Sequence, residues 1–226
     1  SLHDALPIYE FAIMATVQGT IKKTSMGAFA RPSKKGIIAI SFEQGDSLVE
    51  AKLSKGNQQV VMVSKQGQAI RFDETDVRPM GRGAKGVAGM RLDQGDEVIG
   101  MAICDATDTT QQILTVTEKG YGKRTLLEEY RVQGRGGGGT MTMRITDKNG
   151  SVVAVRQVTD LDDLIIASDQ GKVIRTSVHE ISEVGRVAQG VRLINLEDGE
   201  RVCAVAKVDR DEEAQKSALP ETPTES

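Results

Sequence analysis

Short apolar runs recur along the chain, and each is followed by a turn and then a second run in which apolar and polar residues alternate. The four leading runs are residues 11–16, 60–64, 113–117 and 164–168. Runs of this length, rich in β-branched residues and closed by a Gly-containing pair, are typical of β-strands joined in hairpins. The pattern predicts four hairpins whose second strands direct Ile21, Ile70 and Ile174 inwards and their neighbours outwards.

Glycine marks this pattern at three fixed points. The motif Gly-x-x-x-(Lys/Arg) begins at Gly19, Gly67, Gly120 and Gly171, which are 48, 53 and 51 positions apart. A second glycine follows after 17, 19, 19 and 19 residues and opens another apolar run, at Gly36, Gly86, Gly139 and Gly190. A third Gly-containing turn precedes one more strand in each copy, at residues 45–46, 95–96, 149–150 and 198–199. A period near fifty residues with about four strands per copy predicts a propeller-like array.

The repeat divides the chain into three parts. Residues 1–8 do not fit the repeat and are treated as a leader outside the fold, of native or non-native origin. Four predicted blades follow, at residues 9–53, 57–103, 111–158 and 162–208. The last part, 209–226, contains Pro and many acids but no aromatic residue, and it is predicted to be a disordered tail. The expected fold class is all-β.

Composition adds two constraints. Aromatic residues make up 3% of the chain and Trp is absent, so the core has to be built from aliphatic residues and Met. Cys104 and Cys203 are 99 positions apart and match no zinc or disulfide framework, which favours a reducing cytoplasmic setting but leaves one bridge possible. No apolar stretch approaches the roughly 18 residues that span a bilayer, and no membrane partner is expected.

The net charge of −3 argues at first against a nucleic-acid partner. The predicted tail alone carries −4, however, so the remainder carries +1. Because the acids are segregated in this way, any DNA-binding surface has to be argued from local clusters of cations. We also expect the acidic tail to compete with DNA for such a surface.

Basic residues follow the repeat at two places. Some stand three or four positions after the first glycine, and others stand in the loop that leads into the second glycine. Positive charge at recurring positions suits duplex DNA, which carries regularly spaced negative charge. Ordinary solvated charge is the alternative, although a neighbouring glycine allows close approach to phosphate. The predicted DNA-binding residues are Lys22, Lys23, Lys34, Lys35, Arg71, Arg78, Arg82, Lys85, Lys123, Arg124, Arg131, Arg135, Arg175 and Arg186.

Two segments, 81–86 and 134–139, match the dinucleotide pattern G-x-G-x-x-G and leave a nucleotide-dependent oxidoreductase as an enzyme alternative. The pattern requires a helix after the glycines, whereas strand-like residues follow here. Catalytic constellations are absent from the repeats, where His179 is the one histidine and is expected on the surface. No Walker A motif or metal-ligand cluster is present, so no cofactor and no metal site are expected in this chain.

The repeats resemble the C-terminal domain of the DNA gyrase A protein. The resemblance is carried by residues 77–82, 86–92, 120–125, 184–186 and 189–191 and covers about residues 9–208. It implies a β-pinwheel, a disc of about six blades that exchange strands with their neighbours and wrap duplex DNA around a basic rim. The four repeats look like the last four blades of such a disc, truncated before the first two.

The resemblance also implies a setting for the chain. The expected partners are double-stranded DNA, the gyrase A catalytic core and gyrase B in an A2B2 assembly in the bacterial cytoplasm, associated with the nucleoid. The parent would be an ATP-dependent type II topoisomerase that introduces negative supercoils, with ATP and Mg²⁺ used elsewhere in the holoenzyme and no catalysis by this chain alone. The family's box Gln-Arg-Arg-Gly-Gly-Lys-Gly has a five-of-seven match at 133–139, but in a late blade, so its role is not transferred.

Two further alternatives remain open. The corresponding C-terminal domain of topoisomerase IV has the same fold with fewer and less regular blades. A propeller-like protein-interaction module would account for the turn-rich repeats but would leave the cationic loops unexplained.

Overall fold

A computed structural model describes residues 9–209, and within that range the regular structure is β-strand apart from four single 3-10 turns. The predicted leader, and the predicted tail beyond residue 209, lie outside the described residues. The strands are β1 (Phe11–Thr16), β2 (Thr20–Ser25), β3 (Leu48–Ser54), β4 (Gln59–Ser64), β5 (Gln68–Asp73), β6 (Val87–Ala88), β7 (Val98–Cys104), β8 (Gln112–Thr117), β9 (Tyr121–Leu126), β10 (Thr140–Met141), β11 (Val152–Val158), β12 (Asp162–Ser168), β13 (Val173–Ser177), β14 (Val191–Arg192) and β15 (Val202–Asp209).

The four predicted hairpins are confirmed. β1 pairs antiparallel with β2, β4 with β5, β8 with β9 and β12 with β13. The strand after the third turn of each repeat, namely β3, β7, β11 or β15, pairs with the other edge of the first hairpin strand. These four strands contact one another in chain order and form the inner wall of the array. Each repeat therefore supplies three long strands of one blade.

The fourth strand of a blade comes from the following repeat. β6 adds to β2 of the first blade, β10 to β5 of the second and β14 to β9 of the third. The first three sheets consequently have four strands, whereas the fourth has three, in the order β13-β12-β15. We call β6, β10 and β14 the exchange strands, and they lie at the outer rim. The all-β, propeller-like class is confirmed. Residues 36–40, expected to be a strand of the first repeat, are not one.

The predicted alternation in the second hairpin strands is wrong for part of the array. Ile21 and Ile70 are fully buried, as expected, but Lys22 and Lys23 next to Ile21 are buried as well. The second hairpin strand lies between its own blade and the next repeat, which covers residues on both of its faces. A strand covered on both faces loses the period-two pattern that a half-exposed strand shows.

Candidate nucleic-acid interface

The repeated glycines lie where the backbones of neighbouring blades approach most closely. A Cβ atom added to Gly67 would lie 2.3 Å from the carbonyl oxygen of Met143 in the next repeat. One added to Gly139 would lie 2.3 Å from the carbonyl oxygen of Ala69 in the preceding repeat. Both glycines also have a positive φ, of +80° and +76°. Glycine is required here because no other residue combines that backbone conformation with so close an approach.

The same glycine positions are open at the two ends of the array. Gly36 and Gly171 also have positive φ angles, but no atom lies within 4 Å of a Cβ built on either one. Gly36 belongs to the first repeat and Gly171 to the last, so among the described residues neither faces a neighbouring blade. The first and second glycines of the repeat therefore mark the contacts between blades.

The cation four positions after the first glycine crosses the boundary between blades. Arg71 donates from Nη1 to the carbonyl oxygens of Leu127, at 2.6 Å, and Tyr130, at 2.9 Å, and from Nε to Gln59 Oε1 at 2.7 Å. Arg124 donates in the same way to the carbonyl oxygens of Ile181 and His179. Each guanidinium donates to carbonyl oxygens at the 3-10 turn of the following repeat and so joins the two blades.

The first and last repeats show two variants of this contact. In the first repeat Lys23 Nζ lies 3.3 Å from Glu74 Oε2, where both side chains are buried. In the last repeat the Arg175 side chain is 53% exposed, and its Nε pairs at 2.9 Å with Asp163 of its own blade. The same sequence position is thus buried where a following repeat is present and open where the described residues contain none.

Lys22 and Lys123, three positions after the glycine, are fully buried and also cross between repeats. Lys123 Nζ donates to the carbonyl oxygen of Gly185 at 2.7 Å and to that of Arg186. Lys22 Nζ donates to the carbonyl oxygen of Ala39 at 2.7 Å and to that of Arg82. Burial lowers the pKa of Lys123 to about 8, and burial followed by the nearby Arg82 charge lowers the pKa of Lys22.

Five of the fourteen predicted DNA-binding cations are consequently inaccessible. These boundary cations, as we name them, are Lys22, Lys23, Arg71, Lys123 and Arg124. Their donors are directed at carbonyl, amide or carboxylate oxygens of the protein, and their side chains are at most about a tenth exposed, so a phosphate could not reach them without opening the contact between blades. The sequence correctly indicates a repeated cation but misplaces it on the surface.

The other nine predicted cations reach solvent. Arg82 and Arg186 are half-buried, and the rest are exposed: Lys34, Lys35, Arg78, Lys85, Arg131, Arg135 and Arg175. Apart from Arg175, all of them lie in the loops that lead into the second glycine; in the second to fourth repeats these loops run into the exchange strands β6, β10 and β14. We call these eight the rim cations. Lys85 is paired with Glu43 at 2.9 Å, and both side chains are more than half exposed.

Three rim arginines occupy one equivalent position, four residues before the second glycine. Arg135 Nη1 donates to the carbonyl oxygen of Ala88 at 3.0 Å, and Arg186 Nη1 to that of Met141 at 3.0 Å. Arg82 Nη1 makes the longer equivalent contact, 3.4 Å, to the carbonyl oxygen of Ile38. The acceptor is in each case the residue two positions after the second glycine of the preceding repeat. These arginines hold adjacent rim segments together while remaining partly open to solvent.

Sequence reasoning missed further exposed cations. Arg91 and Arg144 both stand five positions after a second glycine, an offset that could have identified them. Arg192 donates to the Tyr121 hydroxyl at 2.9 Å, and Lys148 lies 5.4 Å from the centre of the Tyr121 ring. Hydrogen bonding from Arg192 lowers the pKa of Tyr121. Tyr121 lies in β9 and pairs with Arg192 of the exchange strand β14, whereas Lys148 comes from a loop.

The other chemical alternatives find little support. Residues 81–86 and 134–139 lead into the short strands β6 and β10 and not into a helix, so they lack the geometry of a dinucleotide site. Cys104 and Cys203 are both free, the first buried and the second exposed, and His179 is exposed as expected. Within residues 9–209 no cluster of potential metal ligands was found, and no helix has the length and apolarity to cross a membrane.

The fold and rim define an all-β, propeller-like repeat domain with exchanged strands and cations along its outer loops. The chain belongs to the family described as DNA gyrase C-terminal domain, beta-propeller, whose model matches residues 10–55, 58–105, 111–159 and 162–209.

Known relatives agree with this assignment. The chain is 43% identical over 204 residues to the DNA gyrase A protein of Staphylococcus epidermidis, covering 90% of this chain and 23% of that protein. It is 42% identical over 219 residues to the gyrase A protein of Staphylococcus aureus, covering 95% of this chain and 25% of that protein. The chain thus spans about a quarter of the length of these relatives.

Solved structures show the same fold. A structure of the DNA gyrase A C-terminal domain matches with a TM-score of 0.79 and 28% identity, covering 91% of this chain and 68% of that one. The C-terminal domain of DNA topoisomerase IV matches with a TM-score of 0.83 at 24% identity, covering 91% of this chain and 64% of that one. The second likeness shows the fold alone.

Proposed function

We propose that this chain is the DNA-binding and DNA-wrapping domain of a gyrase A protein, and that it supports ATP-dependent negative supercoiling by the holoenzyme. Its partners would be duplex DNA, the catalytic core of gyrase A and gyrase B in an A2B2 assembly, with ATP and Mg²⁺ used outside this chain. Membership of the gyrase C-terminal domain family supports a gyrase A protein as the parent of this chain. The 43% identity to gyrase A proteins favours gyrase over topoisomerase IV.

The main support for DNA binding is the recurrence of exposed cations at fixed offsets along the rim. Arg78 and Arg131 stand eight residues before a second glycine, and Arg82, Arg135 and Arg186 stand four before. A duplex carries about one negative charge per 1.7 Å of its axis, so a curved row of cations can neutralise successive phosphates as the duplex bends around it. A protein-interaction module would have no need for charge of one sign at these offsets.

Binding is tested by titrating a fluorescently labelled linear duplex with the chain at a series of salt concentrations. We expect log K to fall linearly with log salt, with a slope of about −0.9 for each phosphate neutralised. Binding that is absent, or that does not depend on salt, would contradict the proposal.

Wrapping is tested separately from binding. A relaxed plasmid is incubated with the chain, treated with a type I topoisomerase and deproteinised, and the topoisomers are separated on a gel. Wrapped DNA constrains writhe, so the topoisomer distribution should shift in proportion to bound chain. Binding without a shift would leave a DNA-binding domain and refute the wrapping. Negative supercoiling by the full-length parent, assayed together with gyrase B, would distinguish gyrase from topoisomerase IV.

A further inference from the structure

We propose that arginines from two successive repeats combine at the rim to form a seat for one DNA phosphate, and that Arg78 and Arg135 form the seat that the structure shows most fully. This inference rests on the proposed DNA-binding function and specifies where that function is performed. It assigns phosphate contact to the boundary between neighbouring blades, so that neither repeat forms the seat alone.

The two arginines face a common groove at the rim. The groove has a volume of about 290 Å³ and contains one end of the exchange strand β6. Its lining consists of Asp76, Arg78, Pro79, Met80, Val87 and Arg135. The apolar side chains suit a deoxyribose ring, and the guanidinium groups suit the adjoining phosphate. The lining contains two arginines and one carboxylate, that of Asp76, so its net charge is positive.

Arg135 is held in place before any ligand binds. Its Nε donates to the carbonyl oxygen of Asp76 at 3.0 Å, and its Nη1 donates to the carbonyl oxygen of Ala88 at 3.0 Å. A guanidinium has five N–H donors, so further donors remain for a phosphate. Because the side chain is already ordered, less conformational entropy is lost on binding than for a free lysine.

Arg78 supplies the second cation from the other repeat. It lies in the loop between the 3-10 turn Glu74–Asp76 and β6, and its side chain is exposed. Among the described residues it makes no hydrogen bond or ion pair comparable to those of Arg135. Arg78 is therefore free to close on a phosphate that Arg135 has positioned.

The repeat predicts a second seat at the next boundary. Arg131 has the offset of Arg78 and Arg186 has the offset of Arg135, and Arg186 makes the equivalent bond to the carbonyl oxygen of Met141. At the first boundary Arg82 is present, but Ala28 occupies the position of its partner arginine. The seats should therefore differ in their affinity for phosphate, and the seat at the first boundary should bind it most weakly.

The test measures duplex affinity and its salt slope for the 226-residue chain and its Arg78→Gln, Arg135→Lys and Arg78→Gln/Arg135→Lys variants. We expect Arg78→Gln to weaken binding about tenfold, the loss of one charge-assisted contact, and to reduce the slope by about 0.9. Arg135→Lys keeps the charge but not the fork geometry, so affinity should fall while the slope changes little. Because both arginines serve one phosphate, the double variant should bind no more than about twofold worse than Arg78→Gln.

Lys55→Gln is the matched control. Lys55 is exposed and lies in the turn between β3 and β4, and its replacement removes one positive charge, as Arg78→Gln does. Its affinity should stay within about twofold of the wild type. Arg78→Gln should melt at the wild-type temperature, which separates loss of contact from loss of fold. The seat is refuted if the wild type binds DNA but Arg78→Gln and Arg135→Lys both bind as well as Lys55→Gln. It is also refuted if the affinity loss of the double variant equals the product of the losses in the two single variants. If the wild type does not bind, the proposed function itself fails.

Discussion

The boundary between the second and third blades and the open edge of the fourth blade carry equivalent residues in different surroundings. Arg71 at the boundary is 9% exposed and is held by carbonyl oxygens of the following repeat. Arg175 at the open edge has a side chain that is 53% exposed and pairs within its own blade. Val173 beside it is 61% exposed, whereas its counterpart Ala69 is covered by β10.

This difference separates the cations into a buried set that joins blades and an exposed set for which we propose DNA binding. The position four residues after the first glycine becomes buried when a following repeat covers it, so its charge stabilises the contact between blades. The rim cations remain accessible in the loops that lead into the second glycine. Charge repeated along a sequence can therefore serve the fold or the ligand, and burial decides between them.

The largest expected effect comes from replacing a boundary cation. Arg71→Met leaves the Tyr130 carbonyl oxygen and the Gln59 amide oxygen without their donor, removes one of two donors to the Leu127 carbonyl oxygen, and should lower the free energy of unfolding by about 3 to 5 kcal/mol. Arg175→Met changes the same repeat position at the open edge and should cost less than about 1 kcal/mol. Urea denaturation of the two variants measures the contrast. Equal losses would mean that the blade contact does not depend on this cation.

A second contrast concerns the ionisation of a buried lysine. The pKa of Lys123 is about 8 in the folded chain against a usual value of 10.5, so between these values the unfolded chain binds the proton more tightly. Stability should therefore rise with pH across this window, by at most about 3 kcal/mol from this group. Lys123→Met should remove that rise when urea midpoints are compared from about pH 7 to about pH 10.5. An unchanged pH dependence would contradict the burial of a charged amine.

The glycines provide a third contrast with matched backbones. Gly36 and Gly139 have φ angles of +78° and +76°, but only Gly139 faces a carbonyl oxygen of another blade. Alanine is strained by the positive φ at both positions, and at Gly139 it also clashes with Ala69. We expect Gly139→Ala to be about 2 kcal/mol more destabilising than Gly36→Ala. Thermal or urea unfolding of the two variants measures the difference. Equal losses of unfolding free energy would argue against close contact at this boundary.

The smallest effect on stability is expected at the rim. Lys34 and Lys35 are exposed and lie in the loop before Gly36. Replacing both with Gln should change the free energy of unfolding by less than about 0.5 kcal/mol while reducing the salt slope of DNA binding. A large loss of stability, or an unchanged slope, would place these lysines outside the proposed rim.

Much of the fold could be predicted from the sequence because its signals are local. The hairpins follow from apolar runs and Gly-containing turns, and the period predicts the number of blades. The unpaired edge of β13 and the absence of a strand at residues 36–40 could not be derived from spacing, because each depends on whether another blade lies alongside.

The candidate site was predictable only in part. The offsets of Arg78, Arg131 and Arg135 identify exposed positions correctly, since these loops lie at the rim. Burial of Lys22 and Lys123 could not be read from the strand, because each amine bonds a carbonyl of the next repeat about sixty residues further along the chain. The uniform recurrence of Lys or Arg four residues after glycine was the one available hint of a structural role.

Lysine labelling with and without DNA tests the division between boundary and rim cations most directly. The folded chain is acylated under native conditions, alone and bound to a saturating duplex, and modification at each lysine is quantified by mass spectrometry. The rim lysines Lys34, Lys35 and Lys85 should react in the free chain and become protected by DNA, whereas Lys22, Lys23 and Lys123 should remain unreactive in both samples. Labelling of Lys22 or Lys123 in the free chain, with loss of that labelling on DNA, would contradict the account.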